Sequence, residues 1–324
     1  MVPLFLSMYI CLVNRSGTHT VTAIQIRQKA KEIGFDSCGI TRPALLGEEA
    51  RRLEFWLRSG YHGTMGYMER NFEKRIDPHQ MMDGLKSIIV VSYNYYPLRE
   101  MPEKTYKIAR YAYGRDYHEV IKKKLYGLSA YIEEQVPGSR SRVFVDTAPV
   151  MEKAWAVRAG LGWIGKNSLL LQKRKGSFFS LGIIFTTAGI RDYSTPFTAN
   201  HCGSCNLCVE ACPTGAILPG MNMIDASRCI SYLNTELKGE IPAAYKGQMG
   251  DYIFGCDICQ EVCPWNRFSI PNREPQYTPA AGLLEMSKED WHHLTEKTFV
   301  EIFRKSPVRR RKYPALMKVI RMME

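Results

Sequence analysis

Eight of the ten cysteines in this 324-residue chain fall between positions 202 and 263. The first four are spaced Cys202-x2-Cys205-x2-Cys208-x3-Cys212, with Pro213 next. This is the bacterial ferredoxin run, in which three thiolates from one loop wrap an iron–sulfur cube and the fourth reaches a different cube. Cys256-x2-Cys259-x3-Cys263-Pro264 repeats the ending, and Cys229, 27 residues ahead of Cys256, supplies the displaced first member. With fourth ligands exchanged, Cys202, Cys205, Cys208 and Cys263 hold one [4Fe–4S] cluster. Cys229, Cys256, Cys259 and Cys212 hold the other. Zinc is the alternative for such a cluster, but structural zinc sites use paired C-x2-C knuckles, often with histidine, and lack the Cys-Pro endings. Cys11 and Cys38 fall outside the pattern and read as ordinary thiols, Cys38 in a strand.

Clustering of this kind in a long chain points to metal rather than disulfides, hence to a reducing, cytoplasmic location. A carrier of electrons needs only residues 200–268. About two hundred residues precede that module, so the electrons are expected to be consumed on this chain. Hydrophobic residues make up 45% and charged residues 23%, enough apolar material for a core. Residues 21–190 alternate helical and β-branched runs, among them Ala23–Ile33, Glu48–Arg58, Ser87–Tyr93, Asp116–Gln135 and Phe178–Thr187. The expected class is α+β: a tail of unclear status at 1–20, an N-terminal α/β catalytic domain at 21–195, a dicluster ferredoxin domain at 196–270 and a basic helical segment at 271–324.

Lys and Arg number 44 against 32 Asp and Glu, a net charge of +12. Such an excess suits an anionic partner, nucleic acid or membrane surface. Residues 301–324 alone carry eight basic residues against two glutamates. Arg309, Arg310 and Arg311 therefore read as a phosphate-contacting arm, with a merely solvated tail as the alternative. Residues 2–13 are apolar but too short to span a bilayer and lack a charged start, so they read as a poorly ordered tail or the product of an early start codon, with a peripheral membrane contact as the alternative; no membrane partner is expected for the chain.

Two patterns mislead. Gly160-x-Gly162-x-x-Gly165 satisfies a dinucleotide fingerprint, but a helix precedes it and a strand follows, the reverse of what a dinucleotide site needs. Its glycines read as tight turns or close approach to a ligand. Asp116-x-His118 begins a cobalt-ligating motif whose glycine is absent, Ile121 standing in its place; His118 reads as a helix-face histidine. Asp146 has two readings. As a helix N-cap it is bland. As a general acid at a strand end, flanked by apolar residues, its pKa would be raised and a proton kept ready. Glu152 is a second candidate, read as an ion-pair partner of Arg158 or Lys153.

Several stretches together resemble epoxyqueuosine reductases, the cobalamin- and iron–sulfur-dependent enzymes of tRNA queuosine synthesis. They are Glu73-Lys-Arg75, Ala109-Arg-Tyr-Ala-Tyr-Gly-Arg-Asp-Tyr-His118, Val145-Asp-Thr147, Ala159-Gly-Leu-Gly-Trp-Ile-Gly-Lys-Asn167, Cys229-Ile-Ser231 and Tyr252–Gln260. The resemblance runs from about Ile24 to Phe268. It implies an N-terminal domain similar to the corrinoid domain of reductive dehalogenases, binding cobalamin next to the first cluster. It implies Asp146 as proton donor, and cobalamin contacts at Arg75, Ala109, Asp146, Leu170, Leu181, Ser231, Asp257 and Ile258. Lys238 matches a residue facing tRNA. The chain ends at Glu324, without the helical-repeat domain many members carry, which puts part of the tRNA surface in doubt.

The implied reaction removes an epoxide oxygen at the wobble base, with two electrons and two protons, to leave the alkene of queuosine. No flavin or nicotinamide site is visible, so an external low-potential donor, a flavodoxin or ferredoxin system, is expected. Two rivals stand beside it: another corrinoid reductase such as a dehalogenase, and a dicluster electron carrier that only docks to a partner.

Overall fold

The computed structural model describes residues 20–324; the expectations for the 1–20 tail and Cys11 lie almost wholly outside them. The N-terminal half is built on one four-stranded sheet. In chain order its framework is α1 (Ala23–Ile33), β1 (Ser37–Thr41), α2 (Gly47–Arg58), β2 (Ser87–Asn94), α3 (Tyr117–Gln135), β3 (Ser141–Phe144), α4 (Glu152–Arg158) and β4 (Phe179–Thr186). The strand order is β1-β2-β4-β3, and every pairing is antiparallel, with Ile40 opposite Ile89, Val90 opposite Ile183 and Val143 opposite Ile184. The class is α+β, and the α/β label expected for the first domain is corrected: helix and strand alternate along the chain, yet no βαβ crossover forms in this sheet.

Both faces of β2 are covered, which explains its unbroken Ile-Ile-Val-Val run. Ile89 and Val91 face a core with α1 and α3, through Ile26, Ile121, Leu125 and Leu128. Ile88 and Val90 face a second core with α4 and β4, through Trp155, Ile183 and Phe185. Asp116 caps α3, its carboxylate accepting from the His118 N–H at 3.0 Å.

The glycine fingerprint is structural. Helix α4 precedes it and the short strand Trp163–Ile164 follows. Gly160 has φ +77°, and a Cβ at Gly162 would run into the carbonyl oxygen of Leu171. The close approach is to backbone.

The C-terminal residues are not a free basic tail. The helix Tyr313–Met322 (α6, after α5 at Ile230–Thr235) buries Leu316, Val319 and Ile320. These join Trp291, Phe299, Phe303 and Val308 in a core that also holds Tyr106, Ile108, Ile253 and Phe254. The apolar side of α6 must be covered, and the partners it finds come from three of the expected domains. The core therefore crosses the boundaries expected at 195 and 270.

Among the described residues no helix is long and apolar enough to cross a membrane.

Candidate active site and iron–sulfur sites

Cys202, Cys205, Cys208 and Cys263 line one cavity of about 210 Å³, with Lys166, His201, Trp265 and Arg267 at its rim. The other four cysteines also gather: Cys212 lies close enough to Cys229 and Cys259, and Cys229 and Cys259 close enough to Cys256, to help raise the thiol pKa of Cys229, Cys256 and Cys259. Burial is the larger cause of those rises, and it is heavier here than at Cys208 or Cys263. So the structure assembles two groups of four thiols, one near the surface and one deep. Cys208 and Cys259 sense each other across the two. Among the described residues no three His, Cys, Asp or Glu side chains close on the point a single ion would occupy. Four thiolates ringing a cavity match the needs of a cubane, whose corners hold its ligands apart. Cys38, in β1, has its thiol pushed up to about 12 by burial.

A second cavity of about 600 Å³ lies between the 67–75 segment and the 146–154 loop. Arg75 and Asp146 both line it, with Tyr67, Met68, Glu152 and Glu236 among their neighbours. Glu236 follows α5, whose N-terminal flank is Cys229. One short helix thus separates this cavity from the deep thiols. Arg75 donates to the Tyr67 carbonyl at 2.9 Å, while its buried Nε has no partner among the described residues. A guanidinium aimed this way fits a ligand with carbonyl or phosphate oxygens, which a corrin with its amide and nucleotide arms presents.

Asp146 is not an N-cap, which corrects the bland reading. Helix α4 begins six residues later and is flanked by Met151. Asp146 itself sits at φ +57°, in the left-handed region. That conformation costs on the order of 1 kcal/mol for a non-glycine residue, and such strain gathers at functional sites. The main-chain N–H of Asp146 donates to Glu152 Oε1 at 2.7 Å. Its Oδ2 accepts from Tyr117 Oη at 3.1 Å and faces His118 Nε2 at 3.3 Å. Behind the imidazole, Nδ1 is 2.6 Å from Asp116 Oδ1. Arg310 Nη2 donates to Asp116 Oδ2 at 2.9 Å.

The electrostatics reverse one expectation. The hydrogen bond and charge of His118 hold the Asp146 carboxyl below the usual carboxylate range, outweighing the burial that pushes it up. The proton affinity of its neighbours moves the other way. Burial opposes the imidazolium, but hydrogen bonds to Asp116 and Asp146 outweigh it and lift His118 above its ordinary value. Glu152 is pushed up to about 8, by burial first and by the Asp146 charge second. Glu152 pairs with neither expected partner: Arg158 instead reaches Glu49 at 3.2 Å.

The other implied residues are dispersed. Leu170 and Leu181 are buried in the core that also takes in Val150 and Met151 of the cavity wall. Ala109 is buried, its N–H donating to the Phe254 carbonyl at 2.8 Å. Asp257 accepts from the Arg110 backbone at 2.8 Å and from Arg110 Nη1 at 3.2 Å. Ser231, Asp257 and Ile258 flank Cys229, Cys256 and Cys259 of the deep group.

Lys238 is exposed. Arg309 is exposed and bonds the Arg304 carbonyl at 3.2 Å, and Arg311 bonds the Leu237 carbonyl at 2.9 Å. Arg310 is turned away from this pair toward His118. Tyr117, His118, Asp116 and Arg310 are the residues that sequence reasoning left out of the active site. The Asp-x-His pattern was a signal for three of them; nothing in the sequence placed Arg310 there.

Residues 75–147 match the family described as epoxyqueuosine reductase QueG, and residues 201–266 match the 4Fe-4S double cluster binding domain. The epoxyqueuosine reductase of Cellulophaga algicola is 48% identical over 295 residues, covering 91% of this chain and 95% of that one. A crystal structure of epoxyqueuosine reductase with an epoxyqueuosine-modified tRNA-Tyr stem loop superposes with TM-score 0.84 at 28% identity, covering 93% of this chain and 80% of that one. So does a Bacillus subtilis epoxyqueuosine reductase whose aspartate-bearing catalytic loop is swung out of the active site, with the same score, identity and coverage. The chain belongs to the epoxyqueuosine reductase family.

Proposed function

We propose that this chain reduces epoxyqueuosine to queuosine in the anticodon of tRNA, with Asp146 passing a proton to the departing oxygen. In balance, the epoxide takes up two electrons and two protons and leaves an alkene and water. The observation that carries the reading is Asp146 itself. It is a strained carboxylate on the wall of a 600 Å³ cavity, in contact with two groups whose proton affinity is raised, His118 and Glu152.

Cobalamin, when bound, supplies low-valent cobalt, the source of the electrons that break the carbon–oxygen bond. Arg75 would hold it from the cavity wall, and Ala109, Leu170, Leu181, Ser231, Asp257 and Ile258 would complete its bed. Cys202, Cys205, Cys208 and Cys263 would hold the outer [4Fe–4S] cluster, and Cys212, Cys229, Cys256 and Cys259 the inner one. Electrons would enter at the outer group from an external low-potential donor, a flavodoxin or ferredoxin system. Asp146 receives a proton from His118 Nε2 and presents it to the alkoxide, a poor leaving group until protonated. Glu152 holds the loop by accepting from the Asp146 backbone, and its raised pKa keeps a second proton within the cavity. Lys238, Arg309 and Arg311 would contact tRNA phosphates, which supply affinity without sequence choice. A cytoplasmic setting follows from the substrate and the reduced thiols.

The test is conversion. Anaerobically reconstituted protein, given cobalamin, iron, sulfide and a chemical reductant, should turn epoxyqueuosine in tRNA into queuosine, read by mass spectrometry of digested nucleosides. Full cofactor loading with no conversion overturns the proposal.

A further inference from the structure

We propose that Arg310 is a positioning residue for proton delivery to Asp146: it clamps the Asp116–His118 pair from the C-terminal turn, and so makes that turn part of the proton path. The inference rests on the reading of Asp146 as the proton donor.

Arg310 arrives from the turn Pro307–Arg311, 192 residues away from His118 in sequence. Its Nη2 lies 2.9 Å from Asp116 Oδ2 and 2.9 Å from His118 Nδ1. Asp116 Oδ1 is 2.6 Å from the same Nδ1. An ionised carboxylate only accepts, so Nδ1 carries its hydrogen toward Asp116, and the guanidinium donates to the other oxygen. The bond made at Nδ1 decides what the other ring nitrogen does. Nε2 is left as the atom that exchanges a proton with Asp146 Oδ2. Without Arg310, Asp116 Oδ2 loses its partner while Oδ1 stays on the His118 N–H and Nδ1, so the carboxylate and the ring bonded to it are free to tilt together away from Asp146.

The groups facing His118 are few. Asp116 and Tyr117 come from its own helix, Asp146 and Glu152 from the loop and helix opposite, and Arg310 from the C-terminal turn. Asp116 and Asp146 favour the imidazolium and Arg310 opposes it. The arginine thus trims the proton affinity that the two carboxylates create. The same turn continues into Arg311, which holds the Leu237 carbonyl beside Lys238.

The competing role for Arg310 is a plain phosphate contact, and a titration separates the two. Oxidised, cluster-loaded protein with nitrogen-15-labelled histidine has seven histidines to follow. His118 is assigned by the signal lost in His118→Gln. Arg310→Gln should raise the His118 pKa by about half a unit, because a facing cation is gone. Asp116→Asn, which keeps a good helix cap, should lower it. With saturating tRNA stem-loop, Arg310→Gln should lose about tenfold in kcat with little change in KM, as expected of a displaced catalytic group. Its alkaline limb should move up with the His118 titration, and Arg310→Lys should restore both in part. An unmoved His118 titration, with unchanged kcat and only weaker tRNA binding, overturns the proposal. Should even the wild type fail to convert epoxyqueuosine, the function reading falls, while the His118 titration still decides whether Arg310 tunes the pair.

Discussion

His118 presents Nε2 to Asp146 Oδ2 at 3.3 Å, close enough for the two side chains to share one proton. The carboxylate is depressed and the imidazole raised, so that proton rests on His118 until it is called for. A reaction that ends in water consumes two protons, and an aspartate alone stores one. The neighbourhood of Asp146 answers that shortage with His118 on one side and Glu152 on the other.

The pH dependence follows with a definite sign. Protonated His118 is present below its raised pKa, so activity should fall as pH climbs through a value above about 6.5. The stability that the imidazolium gains from Asp116 is complete below about 6.5 and is lost over the same rise. Asp116 behaves oppositely: burial opposes its ionisation, but the His118 hydrogen bonds prevail and lower its pKa. Its contribution is present above about 3.9 and is lost as pH falls through the lowered value. In a kcat–pH profile, His118→Gln should erase the alkaline limb and cost about ten- to a hundredfold. A variant that keeps both the limb and the rate would remove His118 from the proton path.

Iron content tests the two thiol groups separately. Reconstituted protein should hold about eight irons per chain with equal acid-labile sulfide. Cys205→Ala, in the outer group, should retain about half of that. Stoichiometric zinc with little iron would contradict the assignment.

The C-terminal core should matter for folding. Phe303 is fully buried against Trp291 and Phe299. Phe303→Ala should cost about 3–5 kcal/mol. Anaerobic denaturation of the loaded protein measures it, and a loss below about 1 kcal/mol would show that the core tolerates the segment's departure.

For tRNA contact, Lys238→Gln combined with Arg309→Gln should weaken binding of all tRNAs alike. The salt slope should flatten by about one unit for each phosphate contact removed. The pH profile should stay where it is, since neither residue touches the His118 pair. Unchanged affinity and slope would place the binding face elsewhere.

Local signals carried well into the structure, and long-range ones did not. The eight cysteines announce their chemistry because a cube dictates short spacings. Asp116 announces its helix because a cap acts within one turn, and Ser87–Asn94 reads as a strand because both its faces are buried. The antiparallel closure of the sheet depends on pairings such as Val90 with Ile183, which no local pattern records. The basic run at 309–311 looked uniform, yet its three side chains take three directions. Which one turns inward is decided by the packing of Val308 and Leu316 into a core shared with Ile108 and Phe254. The depressed pKa of Asp146 was equally hidden, because its cause is an imidazole 28 residues away.

The most direct measurement is a single turnover of pre-reduced, cobalamin- and cluster-loaded protein on epoxyqueuosine-containing tRNA, comparing wild type with Asp146→Asn. The wild type should yield queuosine. Asp146→Asn, with iron, sulfide and cobalt contents intact, should be slower by about two to four decades and leave the epoxide in place. Conversion by Asp146→Asn at near the wild-type rate would contradict the role of Asp146 and return it to the status of a strained loop residue.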